Sequence, residues 1–300
     1  MPGADDLVRS IASSAGLHKT PRPWVVSPRA LLHNAFMTMI LRMDSVRTLV
    51  GTSWKMTKSR AGADAFAEAL RTSDEIPSEV ELFVLPPFPF VEAVARILSA
   101  TPVRVGAQNV HWEDSGPFTG EVSAPMLAEV GATVVEVGHS ERRQLFGETD
   151  DTVRMKVAAA QRHGLTPVVC VGEPWAVRES GQAVRHVTAS VRAALADARP
   201  DVELWIAYEP VWAIGENGRA ATPEQAEEIH AAIRATCVEV LAAAGTRIPL
   251  LYGGSVTADN AAGYLSAPSV DGLFVGRAAW TVQGLLDIVR VAAATSRPPA

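Results

Sequence analysis

Cysteine is scarce in this 300-residue chain, with Cys170 and Cys237 its two examples. Two thiols cannot build a disulfide framework, so the composition points to a reducing compartment such as the cytoplasm. Long apolar runs are missing as well. No stretch reaches the ~18 uncharged apolar residues that a membrane-crossing helix requires. Positive charge is also short, with 27 Lys plus Arg against 33 Asp plus Glu and a net charge of −6. A nucleic-acid surface needs clustered Lys and Arg, so that partner is not expected. Glycine (22) and proline (20) stay near average usage, well under the ~25–30% combined share of low-complexity chains. The remainder is 48% apolar and 20% charged, the profile of a globular chain long enough to bury a large core.

The charge is uneven. Residues 1–42 hold Arg9, Lys19, Arg22, Arg29 and Arg42 against Asp5 and Asp6, a net +3, which leaves −9 of the chain's −6 for the rest. The segment lacks the apolar h-region and cleavage site of a signal peptide, and it is a weak match to a basic transit peptide. It reads as a poorly ordered N-terminal extension, with the folded domain spanning 43–300.

From residue 46 onward one grammar repeats: a short apolar run, a polar loop, then an amphipathic stretch. The runs are Thr48–Ser53, Glu81–Pro86, Val103–Ala107, Thr133–Val137, Pro167–Val171, Glu203–Tyr208, Pro249–Tyr252 and Gly272–Val275. Most are nearly continuous Val, Ile and Leu, as in parallel strands covered on both faces. Helices are predicted over Ala61–Arg71, Asp150–His163 and Pro223–Ala244; the last opens on a Thr222-Pro223 cap and stops at Gly245. Eight such units in about 255 residues predict a single α/β domain of (β/α)8 barrel form. A doubly wound open sheet would carry a glycine-rich dinucleotide turn after its first strand, and Gly51-Thr52-Ser53-Trp54-Lys55 is not one.

In such a barrel the chemistry sits at the C-terminal ends of the strands. Lys55 follows the first strand, His139-Ser140-Glu141 the fourth and Glu209 the sixth; Gly253-Gly254-Ser255 and Gly276-Arg277 follow the last two. A carboxylate can remove a proton next to a carbonyl, an imidazole can polarise the carbonyl oxygen, and a lysine can offset developing negative charge. Glycine-rich turns offer backbone N–H groups to a phosphate. The set suits proton transfer on a phosphorylated sugar, with no cofactor. The remaining histidines show no metal-ligand spacing, and His111-Trp112-Glu113-Asp114 reads as a loop rather than a metal site.

Gly-His-Ser-Glu-Arg-Arg (138–143), Ala-Tyr-Glu-Pro-Val-Trp-Ala-Ile-Gly (207–215) and Tyr-Gly-Gly-Ser-Val (252–256) resemble the triosephosphate isomerase family. Gly-Ala-Gln-Asn (106–109), Phe-Thr-Gly-Glu (118–121) and Cys-Val-Gly-Glu (170–173) extend that resemblance over residues 46–290. It implies Glu209 as catalytic base, His139 as neutral electrophile, Lys55 as electrostatic partner and Glu141 as its holder. A helix start after His139 would keep that imidazole neutral, a device for which this family is the standard example. The resemblance also implies phosphate contacts at Gly215, Ser255 and Gly276. It further implies a lid over residues 209–222, and a homodimer in which Thr119 reaches the neighbouring subunit's site.

Three departures surround the ligand. The family's first strand ends Gly-Asn-Trp-Lys, whereas here Ser53 replaces the asparagine, leaving space and removing an amide donor. The lid tip Gly215-Glu216-Asn217-Gly218-Arg219 is one residue longer, and its Glu216 would repel a phosphate unless turned outward. Gly276-Arg277 replaces a Gly-Gly pair, so Arg277 joins the substrate-binding candidates and could compensate. These features are similar to a branch of the family that interconverts L-erythrulose 1-phosphate and D-erythrulose 4-phosphate in tetritol (erythritol) catabolism. The alternatives are a triosephosphate isomerase of glycolysis and gluconeogenesis, acting on dihydroxyacetone phosphate and D-glyceraldehyde 3-phosphate, or a non-catalytic sugar-phosphate binder.

Overall fold

Eight short apolar runs become eight parallel strands: β1 (Thr48–Ser53), β2 (Val80–Leu85), β3 (Arg104–Ala107), β4 (Val134–Val137), β5 (Thr166–Val171), β6 (Trp205–Tyr208), β7 (Leu250–Tyr252) and β8 (Gly272–Val275). The computed structural model describes residues 47–215 and 218–295. The proposed boundary at 42/43, the order of the N-terminal extension and the orientation of Glu216 lie outside the described residues. Each strand pairs with the next, and β1 closes on β8 from Leu49↔Gly272 to Thr52↔Val275. The result is the expected closed (β/α)8 barrel.

Strand alternation sorts the side chains. Every strand sends at least one residue, among them Val50, Val84, Val105, Val135, Val169, Ile206, Leu250 and Leu273, outward into the layer shared with the helices. The inner set includes Leu49, Phe83, Val134, Val168, Trp205, Leu251 and Phe274. Phe83 packs against Trp205 and Phe274 with ring centres 5.0 and 5.7 Å apart. At the N-terminal end the Arg104 guanidinium lies 4.6 Å over the Trp205 ring and pairs with Glu81 and Glu203 at 3.0 and 2.9 Å. One end is therefore sealed, and chemistry is confined to the other.

The surrounding helices are α1 (Arg60–Arg71), α2 (Val91–Leu98), α3 (Ala124–Glu129), α4 (Ser140–Leu145), α5 (Asp150–Arg162), α6 (Trp175–Glu179), α7 (Ala183–Leu195), α8 (Pro223–Leu241), α9 (Ala258–Leu265) and α10 (Val282–Thr295). Their starts follow capping chemistry: Ser59 accepts from Gly62 N, and Thr149 and Thr222 form capping boxes. Helix α1 buries Ala63, Phe66, Ala67 and Leu70, and each large side chain so buried contributes roughly 1.5–3 kcal/mol. One predicted end shifts. Helix α8 stops at Leu241, because Ala242 turns to φ 50° and a 3-10 segment runs on to Arg247. Among the described residues no helix is long and apolar enough to cross a membrane.

Candidate active site

The mouth of the barrel is built from strand ends whose geometry is set locally. Ser53 closes β1, and its carbonyl accepts from Trp280 Nε1 at 3.0 Å. Two residues on, Lys55 sits at φ 51°, a left-handed conformation that costs a non-glycine residue of order 1 kcal/mol. The conformation is held from outside: Gln108 Nε2 donates to Lys55 O at 3.2 Å and to Leu85 O at 2.8 Å. The strained turn aims the ammonium at Glu141, whose Oε1 accepts from Lys55 Nζ at 2.6 Å.

His139 is fixed by the residue before it. Gly138 turns with φ 79°, in the left-handed region that glycine adopts at least cost. Its N–H donates to Glu148 Oε2 at 3.2 Å and its carbonyl accepts from Arg143 Nε at 2.8 Å. His139 then caps α4, with its Nδ1 accepting from Glu141 N at 3.1 Å. An acceptor at Nδ1 leaves the ring proton on Nε2, which faces the cavity. Burial, followed by the Lys55 charge, lowers the His139 pKa to about 4, so the imidazole is neutral at physiological pH.

Glu209 leaves β6 with its N–H donated to Val171 O at 2.7 Å. Its side chain fits because Gly253 carries none: a Cβ there would stand 2.7 Å from Glu209 Cγ. Glu209 Oε2 lies 3.7 Å from His139 Nε2, and among the described residues it has no hydrogen-bond partner. Burial raises its pKa to about 8, and the next cause is a second carboxyl, Glu136. Glu136 points inward from β4 and accepts from Ser53 Oγ at 2.8 Å. Its Oε1 lies 4.0 Å from His139 Nε2 and from Cys170 Sγ. Burial, eased by the Ser53 bond, raises Glu136 to about 7.

Ser53, Lys55, His139 and Glu209 share a cavity of about 420 Å³ with Gly215, Ser255, Gly276 and Arg277, a size that suits a small ligand. The sequence-predicted residues thus meet at one mouth, with the glycine turns forming the far wall. Thr119 does not line this cavity; it lies exposed in the loop after β3. A cation could be bracketed by Glu136, His139 and Glu209, whose ligand atoms lie within 4.8 Å of one another. His139, however, presents an N–H to that point rather than a lone pair, which favours proton chemistry over ligation. His111 stacks on Trp112 and packs at a tilt against Phe118, with ring centres 4.2 and 4.3 Å away, and Asp114 pairs with Arg162 and His163.

A family model described as triosephosphate isomerase matches residues 48–292. The chain belongs to the triosephosphate isomerase family. It is 49% identical over 257 residues to a protein of Rhizobium rhizogenes named L-erythrulose-1-phosphate isomerase, covering 84% of this chain and 97% of the relative. Proteins of the same name from Brucella abortus and Mesorhizobium japonicum are 50% and 48% identical over 244 and 251 residues. These cover 80% and 82% of this chain, and 94% and 97% of the relatives.

Three features of this barrel escaped sequence reading. Glu136 is one. The buried Lys156, which bonds Glu148 and reaches Asn109 Oδ1 at 2.7 Å, anchors the carboxylate that holds Gly138. Glu173, fully buried, accepts from Trp212 Nε1 at 2.9 Å and from Tyr208 Oη at 3.1 Å. A single charge within Val-Val-Glu-Val on an inward position was the available signal for Glu136; Glu173 and the Lys156–Asn109 bond depend on partners 35 to 47 residues away.

Proposed function

We propose that the protein is a ketose-phosphate isomerase that interconverts L-erythrulose 1-phosphate and D-erythrulose 4-phosphate through a cis-enediol(ate). Glu209 removes the proton from the carbon that bears the hydroxymethyl group. His139 donates its Nε2–H to the neighbouring oxygen as negative charge moves there, and Lys55, steadied by Glu141, offsets that charge. Glu209 then returns the proton to the adjacent carbon, while His139 recovers its own proton from the hydroxyl on the first carbon, which becomes the new carbonyl. No electrons leave the substrate, so the reaction calls for no redox cofactor. Backbone at Gly215, Ser255 and Gly276, with the side chain of Arg277, holds the phosphate. Segment 209–222 closes over the ligand, which limits loss of phosphate from the enediol.

The observation that carries the proton-transfer chemistry is the buried Glu209 carboxyl 3.7 Å from the neutral His139 Nε2. The four-carbon substrate is supported by Ser53 on the cavity wall and by the names of relatives about half identical to this chain. Cys170 and Cys237 are both buried and unpaired, in keeping with a cytoplasmic enzyme of tetritol breakdown. Exposed apolar side chains on the loops after β1 to β4 support a homodimer in which Thr119 reaches the partner's site.

The test is kcat/KM for L-erythrulose 1-phosphate against D-glyceraldehyde 3-phosphate. A clear preference for the four-carbon ketose is expected. A preference for the triose would make the chain an enzyme of glycolysis and gluconeogenesis, and turnover of neither would leave a sugar-phosphate binder.

A further inference from the structure

The mechanism makes no use of Glu136, although a carboxyl 2% exposed is costly to bury without a strong partner. Its closest described polar partner is the Ser53 hydroxyl, 2.8 Å from Oε2; the distances to His139 Nε2 and Cys170 Sγ are 4.0 Å. Ser53 lines the catalytic cavity and Glu136 stands behind it.

We propose that Glu136 is a positioning residue for substrate selection: by accepting the hydrogen bond of the Ser53 hydroxyl it leaves Ser53 an acceptor toward the cavity, a seat for the terminal hydroxyl of a four-carbon ketose phosphate. The proposal rests on the four-carbon reading above. A serine hydroxyl has one proton and two lone pairs. With the proton committed to Glu136, and the Ser53 carbonyl held by Trp280 Nε1, what the hydroxyl can offer the cavity is lone pairs. Such an oxygen matches an O–H donor and gains nothing from hydrogen. At the reacting carbon the four-carbon substrate carries a hydroxymethyl group where the triose carries hydrogen. A site built to accept from a substrate hydroxyl discriminates against the analogue lacking it, because the acceptor is then buried unpaired. Ser53 therefore contributes more than room: the room is furnished with an oriented acceptor, set by a residue that does not touch the ligand.

The experiment measures kcat/KM for L-erythrulose 1-phosphate and D-glyceraldehyde 3-phosphate in the wild type and in three variants. The wild-type comparison tests the substrate reading by itself. Given a four-carbon preference there, Glu136→Leu and Ser53→Ala each lower the four-carbon to three-carbon ratio by about tenfold or more, chiefly through a raised KM for the ketose. The double variant loses little beyond either single change. Glu136→Gln, whose amide oxygen still accepts from Ser53, holds the ratio within about threefold of wild type. Leucine is close to glutamate in volume and removes a buried charge, so the variant is expected to fold; should it not, Ser53→Ala and Glu136→Gln carry the comparison. An unchanged ratio in Ser53→Ala or Glu136→Leu overturns the proposal. So does a loss in Glu136→Gln as large as the loss in Ser53→Ala, because the carboxyl would then act through its charge and not as an acceptor.

Discussion

Glu209 must be ionised to take a proton from carbon, yet it shares its surroundings with Glu136. Burial and that neighbour raise Glu209 to about 8, and burial raises Glu136 to about 7. Lys55 pulls both down, whereas Glu141 pushes both up. Two carboxyls this close titrate as a pair, with the first proton lost at lower pH than the second. Rising pH therefore switches activity on: kcat/KM is expected to climb across roughly pH 7–8. His139, lowered to about 4 by burial and Lys55, stays neutral throughout and contributes no falling limb there. In Glu136→Gln the like charge is gone, so the limb should move to lower pH by on the order of one unit. The substrate phosphate titrates identically in both enzymes and cancels in the difference. Coincident pH–rate profiles for the two proteins would remove the carboxyl pair as the cause.

The lid proposed over residues 209–222 is tied to neighbouring elements at both ends. Its first turn, Val211–Ala213, is tied down where Trp212 Nε1 meets the buried Glu173, and its end is tied where Tyr264 Oη donates to Ala221 O at 2.6 Å. Arg219 N bonds back to Trp212 O at 3.1 Å, which links the described residues on the two sides of the tip. Trp212→Phe keeps the ring but leaves Glu173 with one fewer donor. We expect kcat and KM to shift together by roughly 3–30-fold, as hinge changes do, with thermal stability altered by a few degrees at most; steady-state kinetics with both parameters unchanged would argue against a lid anchored there. The strands were legible because continuous apolar runs mark buried parallel sheet, and β1 and β8 match their sequence bounds. The sixth expected strand began two residues early, since Glu203 belongs to the polar seal with Arg104 and Thr166. Glu136 and Ser53 are 83 residues apart and meet across the barrel. Spacing along the chain carries no information about which inward residues face each other, so their pairing was not readable.

For the molecule as a whole, the core demands are met inside the barrel and beneath its helices, yet large apolar side chains remain outside. Met56 is 96% exposed, Leu145 72% and Phe146 68%, with Phe88 and Phe118 also exposed. All five follow β1 to β4 on the same rim as the site, where a lone soluble barrel gains nothing from them. A second copy covering this rim would also brace the strained turn at Lys55, next to Met56. Sedimentation of the full chain at micromolar concentration is therefore expected to give a dimer. If a second copy covers this rim, Phe146→Glu places a charge in the contact and should shift the equilibrium to monomer, with kcat reduced about tenfold or more as Lys55 loses that support, since small displacements of a charged group at the reacting centre are costly. Raising the variant's concentration should restore both dimer and rate together, because association stabilises the competent state by mass action. A wild-type chain that sediments as a monomer while retaining full kcat would show that Lys55 is held by its own subunit alone, through Gln108 and Glu141.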